Sequence, residues 1–210
     1  KIDITDNTTW DRRQIDQTGP LNTVKNNGST GAWGQSYINT KRGVSGDISI
    51  DFKCDSATQS VVGISASGSP IKKNVSQDAP ECGFYCGKIG NTAHGLYATH
   101  HTHRAATLAA TCNGNTATCT ATNPAQYYLG GYNNSDVLSL RKSGNKVRLY
   151  KNGTLLKKNG TGVAPPPCTL PFPSTDPVNV GIALSSPGMG VSDVKWSGGP
   201  PDRCRNWVGK

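Results

Sequence analysis

Histidine and arginine side chains that could do chemistry crowd into one short segment, which contains His100, His101, His103 and Arg104. If this segment is a strand, His101 and His103 point to the same side, and their His-x-His spacing is that of zinc and copper ligands. A third ligand would have to be His94 or a distant carboxylate, because sequence proximity fixes only two. The simpler interpretation is a surface strand whose imidazoles contact neighbours or a sugar, so we expect no metal or other cofactor.

The same segment offers a second chemistry, the cleavage of an anionic polysaccharide by elimination. Tyr97, His101 or His103 could abstract the proton beside a carboxylate while Arg104 neutralises the acid, so a lyase is one alternative function. A retaining glycoside hydrolase is disfavoured, because it needs two carboxylates at a fixed separation and Glu81 is the only glutamate of the sequence. Catalysis is therefore less well supported than binding.

Sugar binding needs aromatic rings for stacking and polar side chains for hydroxyl groups. Tyrosines in the middle of the chain can provide the rings, and the histidine–arginine segment can provide the polar groups. The predicted glycan-binding residues are Tyr97, His101, His103, Arg104, Tyr127 and Tyr132.

The elements that would position these groups are strands, and residues 136–156 show them most clearly. Leucine and valine alternate there with polar residues in two runs, and Leu155 follows in a third. The turns fall at Gly144 and at Asn152-Gly153, residue types for which a positive φ costs little. Alternation of this kind is typical of antiparallel sheets with one wet side. The basic residues at 141, 142, 146, 148 and 151 predict a basic outer face for this hairpin.

Period-two alternation recurs at residues 48–52 and 178–184, with further strands expected at 61–64 and 194–196. The 25 glycines and 13 prolines favour many turns and short strands. Residues 66–135 lack a clear pattern, and we expect an irregular region with a few short strands whose loops carry the binding site. The sequence predicts an all-β fold, a disulfide-stabilised antiparallel β-sandwich, with one domain over 1–198 and a tail over 199–210.

Three parts of the sequence resemble the concanavalin-A-like jelly-roll superfamily of lectins, glucanases and laminin-G-type domains. One is the tryptophan-centred segment 31–36, followed by the strand-like runs 47–52 and 62–65. Another is the hairpin, which ends in a Tyr-x-Asn-Gly turn at 150–153, and the third is the pair 177–184 and 191–196. The resemblance implies a jelly-roll sandwich and leaves the ligand open, because one fold serves many functions.

Seven cysteines predict structural disulfides, which form in oxidising compartments. Cys112 and Cys119 bracket a short polar loop that a local bridge could close, while the pairing of the other cysteines stays open. The odd number leaves at least one thiol free or bound elsewhere. Together with the sequons, the cysteines predict a secreted glycoprotein with glycosylation sites at Asn7, Asn27, Asn74, Asn133, Asn152 and Asn159.

The net charge of +9 has two interpretations, a solvated basic surface or attraction to an anionic glycan such as a uronate or sulfated polymer. No nucleic-acid-binding motif occurs, and no apolar run is long enough to span a membrane. The predicted function is a secreted, non-catalytic glycan-binding or cell-surface module. The alternatives are a subunit of an extracellular filament or matrix that self-assembles through its termini, and the polysaccharide lyase.

Overall fold

The computed structural model contains two antiparallel β-sheets that face each other. It describes residues 10–13, 15–16, 23–26, 36–40, 43–55, 59–69, 71, 80–89, 92–100, 128–157, 168–185 and 187–198. The described residues include no helix, which confirms the predicted all-β class. None of them forms a helix with the length and hydropathy needed to cross a membrane.

We name the two sheets A and B. In spatial order, the strands of sheet A are β1 (Trp10–Arg13), β4 (Ser36–Thr40), β14 (Val178–Leu184), β6 (Ser60–Ala66), β7 (Cys82–Ile89), β8 (Thr92–His100) and β9 (Tyr128–Gly131). Those of sheet B are β12 (Thr154–Leu155), β11 (Lys146–Lys151), β10 (Leu138–Ser143), β5 (Ile48–Cys54), β15 (Gly190–Gly198), β3 (Val24–Asn26) and β2 (Ile15–Asp16). A further short strand, β13 (Cys168–Thr169), pairs with β11.

The core lies between the sheets and is built by the alternation that the sequence shows. In β5, Ile48, Ile50 and Phe52 are buried while the residues between them are partly exposed, as predicted. Phe52 meets Phe84 of sheet A edge to face, with ring centroids 5.6 Å apart. Inward-facing residues of both sheets thus close one apolar layer, whose burial is the main favourable term in folding.

Two disulfides connect the sheets, and both start from β7. Cys86 bonds to Cys54 of β5, and Cys82 bonds to Cys168 of β13. The bridges close loops with sequence separations of 32 and 86 residues. By the chain-entropy argument each is worth roughly 3 to 5 kcal/mol. The predicted disulfide stabilisation is confirmed for these four cysteines, while Cys112, Cys119 and Cys204 lie outside the described residues.

The hairpin of residues 136–156 is confirmed as β10 and β11, with β12 directly after them. One predicted feature of it is wrong, because Lys142 does not belong to the basic outer face. Its side chain is only 2% exposed and donates a hydrogen bond to the carbonyl of Gly46 at 2.8 Å. Alternation puts Arg141 outward and therefore Lys142 inward. Burial lowers the pKa of Lys142, and the nearby Asp47 charge acts against this.

The expectation of an irregular middle is also wrong for residues 82–89 and 92–100. They form β7 and β8, of eight and nine residues, which pair with each other over most of their length. The alternation is hidden because both faces of these strands are buried or carry glycine, as for Phe84 and Tyr85. The segment predicted to carry the site as loops is therefore, as far as His100, a regular part of sheet A.

Candidate functional site

The outer face of sheet A, which points away from the core, carries a row of tyrosines. Register places Tyr37, Ala183, Val61, Tyr85 and Tyr97 side by side on five successive strands. The rings of Tyr85 and Tyr97 are 5.8 Å apart. All five residues are buried, and with Ile71 they form a second apolar cluster. This face is thus a packed layer and not an open aromatic platform.

Glycines make room for this layer. The ring of Tyr97 lies over Gly95, where a Cβ atom would be 2.7 Å from Cε2 of that ring. Tyr85 lies over Gly87 in the same way, with its hydroxyl 2.8 Å from the site of a Cβ. Each tyrosine therefore folds flat onto the glycine two residues away on its own strand.

Ile71 and Pro80, two described residues of the connection between β6 and β7, lie against the same outer face. Asn39 of β4 binds the backbone of Ile71 twice, accepting from its amide at 2.8 Å and donating to its carbonyl at 3.1 Å. Gly181 and Gly63 lie beneath the connection, where a Cβ would collide with Asn39 and Pro80 respectively. The contacts fix this part of the connection on the sheet.

The structure places the predicted sugar-binding tyrosines in packed surroundings. Tyr97 belongs to the outer cluster of sheet A and is 3% exposed. Tyr132 is buried against the core between the sheets, where burial and the charge of Asp55 raise its pKa to about 12. His101, His103, Arg104 and Tyr127 lie outside the described residues. The predicted sugar-binding site around these residues therefore stays a prediction.

The metal alternative at His101 and His103 also lies outside the described residues. Within the described ranges, no group of three or more histidine, cysteine or acidic residues is arranged to hold a metal ion.

The outer face of sheet B differs, because it exposes cations. Arg141 of β10 and Arg148 of β11 are register partners, and Lys195 of β15 lies two strands from Arg141 across β5. All three side chains are exposed, and Tyr150 of β11 beside them is half-buried. We call Arg141, Arg148, Tyr150 and Lys195 the cationic face.

Within the cationic face, Arg141 stacks on Tyr150. The guanidinium carbon lies 4.5 Å from the ring centroid, which is a favourable cation–π distance. Ser139 is buried beneath this pair, and Asp51 is its register partner on β5. One carboxylate oxygen of Asp51 is buried without a hydrogen-bond partner.

One acidic residue of sheet B, Asp51, lies beside the cationic face as the register partner of Lys195, and Asp193 and Asp55 lie at the other end of the sheet. Asp193 binds Lys53 at 2.7 Å, and that hydrogen bond lowers the pKa of the Asp193 carboxyl. Asp55 accepts a hydrogen bond from Ser192 at 2.7 Å. Within the described part of the chain, neither Arg141 nor Arg148 forms an ion pair with a carboxylate. The cationic face therefore has positive charge available for a ligand.

A polar clasp holds the hairpin that carries this face. Asp136 accepts hydrogen bonds from the backbone amide of Asn133 at 2.9 Å and from the Asn152 side chain at 2.7 Å, with the Lys151 ammonium at 3.9 Å. Burial acts to raise the pKa of Asp136, but the two hydrogen bonds and Lys151 outweigh it, so the pKa is lowered. The Asn152 side chain also accepts from Val137 at 2.9 Å. Both asparagines belong to predicted sequons and lie in exposed turns.

The sequence shows the alternation that forms the cationic face, but the binding site was predicted in another segment, around Tyr97 and His101. Arg141, Arg148 and Tyr150 occupy the polar positions of two alternating strands, so their shared side was readable. Their adjacency across the hairpin follows from the turn at Gly144. The proximity of Lys195 to Arg141 could not be predicted from the sequence, because the order of β10, β5 and β15 in the sheet depends on the whole fold.

No protein-family model matches the chain, and no curated protein sequence matches it. Solved structures do match. The exoplasmic/lumenal domain of VIP36 in its Ca²⁺/Man3GlcNAc-bound form gives a TM-score of 0.53 at 8% identity, covering 94% of this chain and 90% of that one. Its Ca²⁺/Man2-bound form gives 0.52 at 10% identity, covering 93% and 84%.

The PSpry domain of TRIM65 matches 88% of this chain and 89% of its own at 13% identity, with a lower TM-score of 0.48. At identities this low, the two VIP36 structures inform on the fold alone. The two facing antiparallel sheets and the VIP36 match over most of both chains show that the protein has the concanavalin-A-like jelly-roll fold.

Proposed function

We propose that the protein is a secreted, non-catalytic module that binds glycans. The observation that carries this proposal is the cationic face, where an exposed Arg141 stacks on a half-buried Tyr150 on a regular sheet. Sugar sites combine an aromatic surface with a few well-placed hydrogen-bonding groups. The neighbouring residues Ser49 and Ser197 add hydroxyls in the same register row as Arg141. A rigid sheet holds these groups in place without a loop rearrangement.

Secretion is supported by the two disulfides between the sheets, since such bonds persist in oxidising compartments. The sequons at Asn133 and Asn152 lie in exposed turns, as glycosylation requires. We do not propose assembly through the termini or lyase activity as a second function. The termini and three of the four lyase residues lie outside the described part of the chain, and the fourth, Tyr97, is buried.

The test is a glycan array probed with the full chain, followed by titration of each glycan that binds. We expect selective binding that falls at least about tenfold in an Arg141→Ala/Tyr150→Ala variant, because a charged hydrogen bond and a stacking surface are both lost. A Lys25→Ala/Lys157→Ala variant, changed at two exposed sites that are not part of the cationic face, is the matched control and should bind normally. A folded protein that binds nothing on the array contradicts the proposal.

A further inference from the structure

We propose that the ligand is an acidic polysaccharide, with carboxylate or sulfate groups along its chain, and that it lies across the cationic face. This inference rests on the proposed function and adds the class of glycan and the surface that binds it.

The first support is an unfavourable arrangement of charge. Arg141 and Arg148 lie directly opposite each other on adjacent antiparallel strands. Like charges at such positions destabilise a sheet. No described carboxylate neutralises either guanidinium by an ion pair. A bound anion between the two arginines would relieve the repulsion, so this arrangement of charge favours an anionic ligand.

The second support is the preparation of Arg141 for binding. Its guanidinium is held over the Tyr150 ring, 4.5 Å from the centroid. A guanidinium fixed in this way loses less side-chain entropy when it binds. Its N–H groups at the free edges can form two parallel hydrogen bonds to a carboxylate or a sulfate, which a lysine cannot do.

The third support is the width of the face. Arg148, Arg141 and Lys195 lie on β11, β10 and β15, with β5 between the last two. Adjacent strands are about 4.8 Å apart, so the cations span roughly 14 Å across the sheet. This distance exceeds a single charged group and suits several successive sugars. The ligand is therefore expected to be a polymer that crosses the strands.

A nucleic acid is a polyanion too, and it is treated as a competing outcome. The cationic face has a single aromatic ring, one side of which Arg141 already covers. Single-stranded nucleic acids are usually bound by several rings on which successive bases stack. The face therefore favours a sugar polymer over a nucleic acid.

The experiment measures binding of the full chain to four probes: heparin as a sulfated polymer, polygalacturonate as a uronate polymer, neutral dextran and duplex DNA. We expect at least one acidic polysaccharide to bind, dextran and DNA to bind at least about tenfold more weakly, and higher salt to weaken binding. If only heparin binds, the recognised group is sulfate, and if only polygalacturonate binds, it is carboxylate. If both bind, either group is recognised. Each of these results supports the inference.

The decisive variant is Arg141→Lys, which keeps the charge and removes the fork of donors. We expect a loss of about tenfold in affinity, the size of one charged hydrogen bond. Arg148→Gln should weaken binding to a similar degree. Lys25→Gln/Lys157→Gln, which removes two charges elsewhere, should change affinity less than about twofold under salt that screens long-range attraction. Circular dichroism and melting temperature establish that each variant is folded. If Arg141→Lys does not fold, Arg148→Gln is used as the decisive variant.

Several outcomes overturn the inference and can be told apart. Binding of neutral glycans without the acidic polymers leaves the proposed function intact but refutes the ligand class. Acidic polymers that bind every variant equally show that the cationic face is not the site. An equal loss in the control variant, or DNA binding as tight as heparin, shows general attraction between charges. Binding of no glycan at all refutes the proposed function as well.

Discussion

The outer faces of both sheets carry tyrosine, but the tyrosines are buried on sheet A and partly exposed on sheet B. On sheet A, Tyr37, Tyr85 and Tyr97 are buried in one cluster with Ile71. On sheet B, Tyr150 remains half-buried beneath an exposed arginine. The comparison teaches that an aromatic residue on a strand does not by itself mark a binding surface; its neighbours on the same face decide.

The neighbours differ in size and charge. Tyr85 and Tyr97 of sheet A have glycines two positions away, which leave space for a flat ring, and Gly63 and Gly181 leave space for Pro80 and Ile71. Tyr150 has Arg148 two positions away on its own strand and Ser139 as its register partner. Long charged side chains keep a face in contact with water because desolvating them is costly. Glycine rows therefore favour a second apolar layer, and arginines favour an open face.

The largest expected effect comes from removing one tyrosine from each face. Tyr97→Ala should lower the free energy of unfolding by about 3 to 5 kcal/mol, because it leaves a cavity in a packed cluster. Tyr150→Ala should cost less, about 1 to 2 kcal/mol, since it loses one cation–π contact and the area of a ring that is only partly buried. Denaturant unfolding of both variants measures the difference. Similar losses for the two tyrosines would show that the faces are not packed differently.

The same contrast explains how far the sequence could be interpreted. The hairpin and β5 were predictable because one face of each is apolar and the other polar, which gives a period of two. β14 is buried on both faces and was still predictable, because large apolar residues alternate along it with smaller or polar ones. β7 is also buried on both faces, but its sequence shows no such alternation. β7 has glycine and tyrosine instead, and was taken for irregular chain.

The candidate site could be predicted less well than the fold. Tyr97 was expected to bind sugar because tyrosine is common in sugar sites, but Gly95 beside it was the signal for a packed ring. Lys142 was grouped with Arg141 although neighbouring residues on a strand face opposite sides. The disulfide partners Cys54–Cys86 and Cys82–Cys168 required the stacking of the two sheets, which no local pattern contains.

A smaller effect is expected where the β6–β7 connection meets sheet A. Gly181→Ala puts a methyl group against the Asn39 amide, which must move and lose its two hydrogen bonds to Ile71. We expect a cost of about 2 kcal/mol, roughly that of two buried hydrogen bonds. The control on the outer face of sheet B is Ser197→Ala, at an exposed position of β15, which should change stability by less than about 0.5 kcal/mol. Thermal unfolding compares the two, and an unchanged Gly181→Ala protein would contradict the close contact.

The smallest effect concerns the clasp that holds the cationic face in place, and it depends on pH. Because the pKa of Asp136 is lower in the folded protein than in the unfolded chain, the unfolded chain binds the proton more readily. The stabilisation by Asp136 is therefore complete above the ordinary carboxyl pKa of about 3.9 and is lost as the pH falls through the lower folded value. Asp136→Asn should cost about 1 to 2 kcal/mol at neutral pH, from a weakened set of charged hydrogen bonds.

The cost of Asp136→Asn should also shrink as the solution is acidified, because wild-type Asp136 becomes neutral like the asparagine. Unfolding curves at pH 7 and at successively lower pH measure the convergence. Asp193→Asn is the matched control, since that carboxyl is also paired with a lysine but is exposed on the outer face of sheet B. Exposed ion pairs contribute little, so its effect should be much smaller at every pH. If the two variants behaved alike, the Asp136 clasp would be no more than a surface ion pair, and the hairpin bearing Arg141 and Arg148 would be held by its strand pairing alone.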